Sequence, residues 1–203
     1  MKTDMSATKS GPIRIAILFS GRGSNMQTLA NHIATPQVNA EFVLAVTNRP
    51  KAGGIEVCEK LGIACRIIDH EEFDSRAAFD AELDKALRAA HVDLICCAGF
   101  MRLLTADFVN GWPDRLLNIH PSLLPKYKGL HTHKRALEAG DKEHGCTVHY
   151  MRPEMDDGPV IVQKTVPVLD SDTPDSLAAR VIEQEHIAYS EALDVVLKKM
   201  AGN

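Results

Sequence analysis

Short apolar runs rich in β-branched residues alternate along this chain with segments whose apolar positions recur at three- and four-residue spacing. Short runs of the first kind suit strands buried on both faces, and the helical period suits segments that cover such strands. The alternation predicts an α/β fold: a single domain with one mostly parallel twisted sheet and helices on both faces. Strands fall at 13–19, 42–47, 65–68, 93–98 and 116–120, and helices at 25–34, 54–61, 106–110 and 134–139. Between the third and fourth strands Phe79, Leu83, Leu87 and Ala90 share one helical face, with Asp74 as the candidate cap. Two late runs, 144–151 and 160–168, flank a Gly-Pro turn, and their closeness predicts antiparallel strands near the C-terminal part. Thr173-Pro174-Asp175 then supplies a capping hydroxyl, a proline for the first helical position and a first-turn acid, so a long helix should run to Met200.

A chain of 203 residues is long enough to bury a core without disulfides or metal. Its 45% apolar and 25% charged residues are the balance of a globular protein. The division expected is a polar, disordered tail over 1–12 and one domain over 13–203. Net charge is -4, and lysines and arginines are scattered. That excludes a basic face for nucleic acid or a polybasic membrane anchor and leaves small molecules as partners. The tail has no apolar h-region, and no apolar run approaches the roughly 20 residues needed to span a bilayer. Cys58, Cys65, Cys96, Cys97 and Cys146 are odd in number and lack C-x-x-C spacing, which fits reduced thiols in a cytoplasm.

Four stretches have the residue types for chemistry. Ser20-Gly21-Arg22-Gly23-Ser24-Asn25 lies between the first strand and first helix, where backbone N–H groups at a helix N-terminus can hold a phosphate. Met26 stands where a dinucleotide fingerprint needs its third glycine, so the alternatives are a plain tight turn and a site for one phosphate. In Leu116-Leu117-Asn118-Ile119-His120-Pro121, strand alternation puts Asn118 and His120 on one face at the carboxyl end of a parallel strand. There Asn118 can donate to an oxyanion and His120 can exchange protons near neutral pH, although a satisfied strand-end histidine fits as well. The acids of Glu154-Met155-Asp156-Asp157-Gly158-Pro159 are by themselves unremarkable turn residues, and gain interest only if one carboxylate reaches His120. Glu185 interrupts an apolar stripe of Ala178, Ile182, Tyr189, Leu193 and Val196, either at the edge of a buried face or turned inward to receive a substrate amine or hydroxyl. His131, His133, His144 and His149 complete no zinc motif, so no metal is expected, and Cys96 and Cys97 read as core packing on opposite faces of a strand.

Together with Ala98-Gly99-Phe100-Met101-Arg102-Leu103-Leu104, His120-Pro121-Ser122-Leu123-Leu124-Pro125 and Gly129-Leu130-His131-Thr132-His133, these stretches resemble the phosphoribosylglycinamide formyltransferases of the formyltransferase superfamily, from Ile13 onward. The resemblance implies a Rossmann-like formyltransferase fold and transfer of a formyl group from 10-formyltetrahydrofolate, the cosubstrate, to the amine of glycinamide ribonucleotide in purine biosynthesis, with no metal. It implies that Gly23, Ser24 and Asn25 bind the phosphate of the ribonucleotide and that Ile182, Glu183, Gln184 and Glu185 touch the same substrate. Arg76, Met101, Arg102, Leu103, Leu104, Asn118, Arg152, Pro153, Glu154, Met155 and Asp156 would line the folate pocket. Asn118, His120 and Asp156 would be catalytic, with His120 the proton donor and Asp156 the acid that favours its charged form. Asp157 stands where many relatives carry glycine, and Asp156 is the acid that aligns.

Two rivals lie in the same superfamily. A formyltetrahydrofolate deformylase would hydrolyse the same donor with a similar Asn/His/Asp set, but usually carries an extra N-terminal regulatory domain. A methionyl-tRNA formyltransferase would need a C-terminal domain and a basic surface. From a different class, a non-catalytic nucleotide-binding module would use the glycine turn alone. Monomer and homodimer both remain open.

Overall fold

A computed structural model of the chain describes residues 11–202, so nearly all of the tail expected to be disordered lies outside the described residues. Seven strands form one sheet: β1 (Ile13–Phe19), β2 (Ala40–Thr47), β3 (Cys65–Ile67), β4 (Leu94–Cys97), β5 (Leu116–His120), β6 (Glu143–Tyr150) and β7 (Val160–Pro167). Their order is β3-β2-β1-β4-β5-β6-β7. The first five are parallel, and β6 runs antiparallel to both β5 and β7. The helices are α1 (Ser24–Ile33), α2 (Gly54–Leu61), α3 (Arg76–Ala89), α4 (Ala106–Asn110), α5 (Thr132–Glu138) and α6 (Pro174–Met200). After β1 the chain moves outward to β2 and β3, then crosses back to place β4 on β1's other side. The crevice beyond the carboxyl ends of β1 and β4 is the switch point where such sheets hold ligands.

Strand alternation divides the core in two. Ile15, Ile17 and Phe19 of β1 pack with Met26 and Leu29 of α1 and with Val181, Tyr189 and Leu193 of α6. Ala16 and Leu18 face the other way, onto Phe79, Leu83 and Leu87 of α3 and Phe108 and Trp112 near α4. Each large side chain taken fully out of water contributes about 1.5–3 kcal/mol. Cys96 joins the first cluster and Cys97 the second, and burial pushes the Cys96 thiol up to about 12. Neither is a nucleophile. Among the described residues no helix is long and apolar enough to cross a membrane.

Three local expectations are corrected. Ser75 caps α3, not Asp74, because Ser75 has the extended backbone a cap needs and accepts the Ala78 N–H at 3.1 Å. α5 starts at Thr132, two residues early, after His131 takes a left-handed conformation with φ 58°. The buried face of α6 is Leu177, Val181, Glu185, Ala188, Tyr189, Ala192, Leu193 and Val196, so Ala178 and Ile182 lie half-buried at its flank.

Candidate active site

Asn118 and His120 stand at the carboxyl end of β5, and the antiparallel register of β6 sets His149 opposite Asn118 and Thr147 opposite His120. The His120 ring is buried, and its Nε2 donates to the Tyr127 carbonyl at 2.9 Å. Its Nδ1 lies 3.4 Å from Asp156 Oδ2. Both ring nitrogens thus face oxygen acceptors, and only the doubly protonated ring donates to both. Asp156 has φ 52°, and its Oδ2 accepts the Gly129 N–H at 2.9 Å. Asp157 points the other way, into an exposed ion pair with Lys128. Of the two neighbouring acids, Asp156 is the one that meets the histidine.

His149 completes the cluster from a position that strand alternation alone did not single out. Its Nδ1 donates to the Tyr150 carbonyl at 3.0 Å, so in the neutral ring Nε2 is an acceptor, which takes an Asn118 Nδ2 hydrogen at 3.3 Å. Burial, with His120 acting in the same sense, holds the His149 imidazole below its ordinary range, against the opposing pull of Asp156, whose Oδ1 is 3.8 Å from Nε2. One Asn118 hydrogen is therefore fixed on His149 and the other is left for a ligand. Tyr127, Gly129 and His149 serve the site through strand register and a loop return, which leave no mark in the linear sequence.

The glycine turn lies on the same edge of the sheet. Leu18 pairs with Cys97 and Cys97 with Asn118, so two residues further on Ser20, Gly99 and His120 line up across β1, β4 and β5. With β4 between β1 and β5, the backbones of Ser20 and His120 are two strand spacings, about 10 Å, apart. Gly23 precedes α1 with φ 83°, and a Cβ there would meet Gly54 Cα at 3.0 Å, so a side chain is excluded on both counts. With no side-chain cap on α1, its first-turn N–H groups lack intrahelical partners, and the Ser24 hydroxyl is exposed beside them. The Asn25 side chain is buried and donates to Glu185 Oε2 at 2.8 Å, while its Oδ1 has no partner. Burial pushes the Glu185 carboxyl up, and the Asn25 amide works against that shift. Glu185 is thus the inward-facing acid of α6, whereas Glu183 faces solvent and Ile182 and Gln184 are half-buried.

The remaining positions divide by the sheet end they reach. Met101 and Leu103 are exposed apolar side chains, and Arg102 lies over the Phe79 ring at 4.6 Å, which brings the start of α3, with exposed Arg76, beside them. Leu104 packs at the edge of the second core cluster. Met155 is exposed next to Gly129, while Pro153 and Glu154 lie exposed in the turn. The Arg152 guanidinium is drawn to Asp114 at 2.6 Å, by the start of β5 and away from the His120 cluster. Among the described residues no group of three or more His, Cys, Asp or Glu side chains is arranged to hold a metal ion.

Residues 13–193 match the family model described as formyl transferase. The chain is 45% identical over 177 residues to a phosphoribosylglycinamide formyltransferase of Escherichia coli, covering 87% of this chain and 84% of that one. It is 49% identical over 190 residues to the trifunctional purine biosynthetic protein adenosine-3 of Drosophila melanogaster, of which it spans only 14%. Among solved structures, a glycinamide ribonucleotide transformylase from Symbiobacterium toebii superposes with a TM-score of 0.91 at 39% identity, over 94% of this chain and 90% of that one. A phosphoribosylglycinamide formyltransferase from Brucella melitensis gives 0.86 at 43% identity, over 95% and 97%. With a family model matching most of its length and a relative so similar over nearly all of both chains, the chain belongs to the formyl transferase family and groups there with the phosphoribosylglycinamide formyltransferases.

Proposed function

We propose that this chain transfers the formyl group of 10-formyltetrahydrofolate to the amine of glycinamide ribonucleotide, giving N-formylglycinamide ribonucleotide and tetrahydrofolate. The observation that carries the reading is the cluster of Asn118, His120 and Asp156 on the same sheet edge as an uncapped glycine turn. The residues fit the two substrates. Gly23, Ser24 and Asn25 offer backbone N–H groups and a hydroxyl to a phosphate. The unpartnered Asn25 Oδ1 and the Glu185 carboxylate suit the hydroxyls or amine of the same molecule, with Ile182 beside them. Exposed Met101, Leu103 and Met155 suit a flat heterocycle.

In this reading the amine nitrogen attacks the formyl carbon, forming the new C–N bond. The free Asn118 hydrogen and His120 stabilise the oxygen as it gains charge. The amine then gives up a proton, N10 of the folate takes one, and the bond from the formyl carbon to N10 breaks. Nε2 of His120 is held at 2.9 Å by Tyr127, while Nδ1 has only a long 3.4 Å approach to Asp156, so Nδ1 is the nitrogen free to exchange its proton.

The test follows 10-formyltetrahydrofolate by absorbance with and without glycinamide ribonucleotide. Acceptor-dependent turnover supports the transferase. Turnover without acceptor makes the chain a hydrolase, and no turnover in either case leaves a binding module. In the active enzyme, His120→Ala should keep its circular dichroism spectrum and lose roughly 10²–10⁴ in kcat, the usual worth of a placed acid or base. Near-full kcat in that variant would remove His120 from the mechanism.

A further inference from the structure

Ser20 is 5% exposed and belongs to neither ligand-holding group, yet it touches the framework of both. Its backbone N–H donates to the Gly99 carbonyl at 3.0 Å. Its hydroxyl donates to Asn48 Oδ1 at 2.5 Å and accepts the Met101 N–H at 2.8 Å. A hydroxyl has a single hydrogen, so giving it to Asn48 leaves the oxygen lone pairs for Met101. Asn48 is itself fully buried, and its backbone carbonyl accepts from His70 Nδ1 at 2.8 Å.

In the segment that begins at Met101, Arg102 and Leu104 pack inward while Met101 and Leu103 are 57% and 52% exposed. Polar pins hold its two ends. One is Ser20, next to the glycine turn. The other is Asp80 of α3, 3% exposed, whose Oδ2 accepts the Thr105 N–H at 2.7 Å.

We propose that Ser20 is a positioning residue that couples the two substrate sites, its hydroxyl tying the backbone of the folate-side segment at Met101 to the phosphate-side turn at Gly21–Asn25. An anion that orders the turn fixes Ser20, and Ser20 fixes Met101. The inference rests on the transferase reading above.

Tetrahydrofolate and glycinamide ribonucleotide make a test pair that cannot react, because neither carries a formyl group. The dissociation constant of tetrahydrofolate is measured by calorimetry with and without saturating glycinamide ribonucleotide. Wild type should bind tetrahydrofolate about 5-fold or more tighter in the presence of the ribonucleotide, the lower bound of ordinary coupling between sites. Ser20→Ala should bring that ratio close to unity. Ser20→Cys, which keeps the shape and weakens both hydrogen bonds, should fall between and preserves the test if the alanine variant does not fold. Asp80→Asn, which loosens the far pin, should weaken tetrahydrofolate binding but keep the wild-type ratio. A wild-type ratio of unity, a Ser20→Ala ratio equal to wild type, or an Asp80→Asn ratio lost as fully as in Ser20→Ala would each overturn the proposal. Transfer by wild type with unaltered coupling in Ser20→Ala overturns this inference alone. No transfer by wild type overturns the functional reading, and the inference with it.

Discussion

At the end of β5 the carboxylate of Asp156 takes the Gly129 N–H and faces two imidazoles, while the adjoining Asp157 reaches outward to Lys128. The two acids should separate cleanly on mutation. Asp156→Asn removes the charge beside His120 and should lower kcat by about 10²–10³, comparable to losing one oxyanion donor. Asp157→Asn removes only an exposed ion pair, worth about 0–1 kcal/mol, and kcat should stay within about a factor of two. Steady-state kinetics of both variants decide the matter, and a larger loss in Asp157→Asn reverses the assignment. Asn118 and His120 could be read from the sequence because alternation along one strand already puts them on one face. The position of Asp156 came only from the family resemblance, since it depends on a left-handed residue in a loop that folds back on Gly129. His149 was harder still: only the β5–β6 register sets it opposite Asn118, and in the linear sequence it is one histidine among several.

Elements whose hydrophobic pattern is set by the sheet were legible: β5, α2 and α4 have the bounds their patterns predict, and the late antiparallel pair lies at one end of the sheet. Boundaries that depend on a single backbone conformation were not, as Ser75 and His131 illustrate. In α6 two neighbouring stripes are both apolar, and contact with β6 and β7 selects the one through Leu177 and Val181. The hairpin joining β6 to β7 carries a constraint of the same local kind. A Cβ on Gly158 would lie 1.6 Å from the Tyr150 carbonyl oxygen, which is backbone and cannot step aside. Gly158→Ala must therefore push the turn off β6, and Asp156, two residues away, moves with it. Overpacking of this kind costs about 1–3 kcal/mol. Urea unfolding should register that loss and kcat should fall with it. A variant with wild-type stability and turnover would mean that the hairpin is not held as described.

Across the whole molecule, the side of the sheet around β5 and β6 carries several buried imidazoles, and their burial fixes how stability depends on pH. His144 is 1% exposed, hydrogen-bonded to His133 at 3.1 Å, and held down to about 4, chiefly by burial and then by His133, with His120 adding to the shift and the Pro121 carbonyl and Asp141 opposing it. His133 and His149 are lowered for the same leading reason. In the unfolded chain each histidine titrates near 6.5, so below that pH the unfolded state binds protons that the folded state refuses. Stability therefore falls as pH drops through this window, and the loss from His144 levels off near its folded value of about 4. At 1.36 kcal/mol per unit, His144 alone is worth on the order of 3 kcal/mol. Glu185 has the opposite sign, because its raised carboxyl lets the folded state take up a proton first, and it offsets part of the loss just above the ordinary carboxylate range. Asp141 and Asp172 are lowered by Lys126 and Arg180, so their contributions vanish only at more acid pH, outside the histidine window. The urea midpoint should accordingly drop between pH 7.5 and pH 5. His144→Gln, which keeps a hydrogen-bonding side chain without a titrating ring, should show a shallower drop than wild type. Equal midpoints at the two pH values, or the same slope in the variant, would show that these imidazoles are not buried in their neutral form.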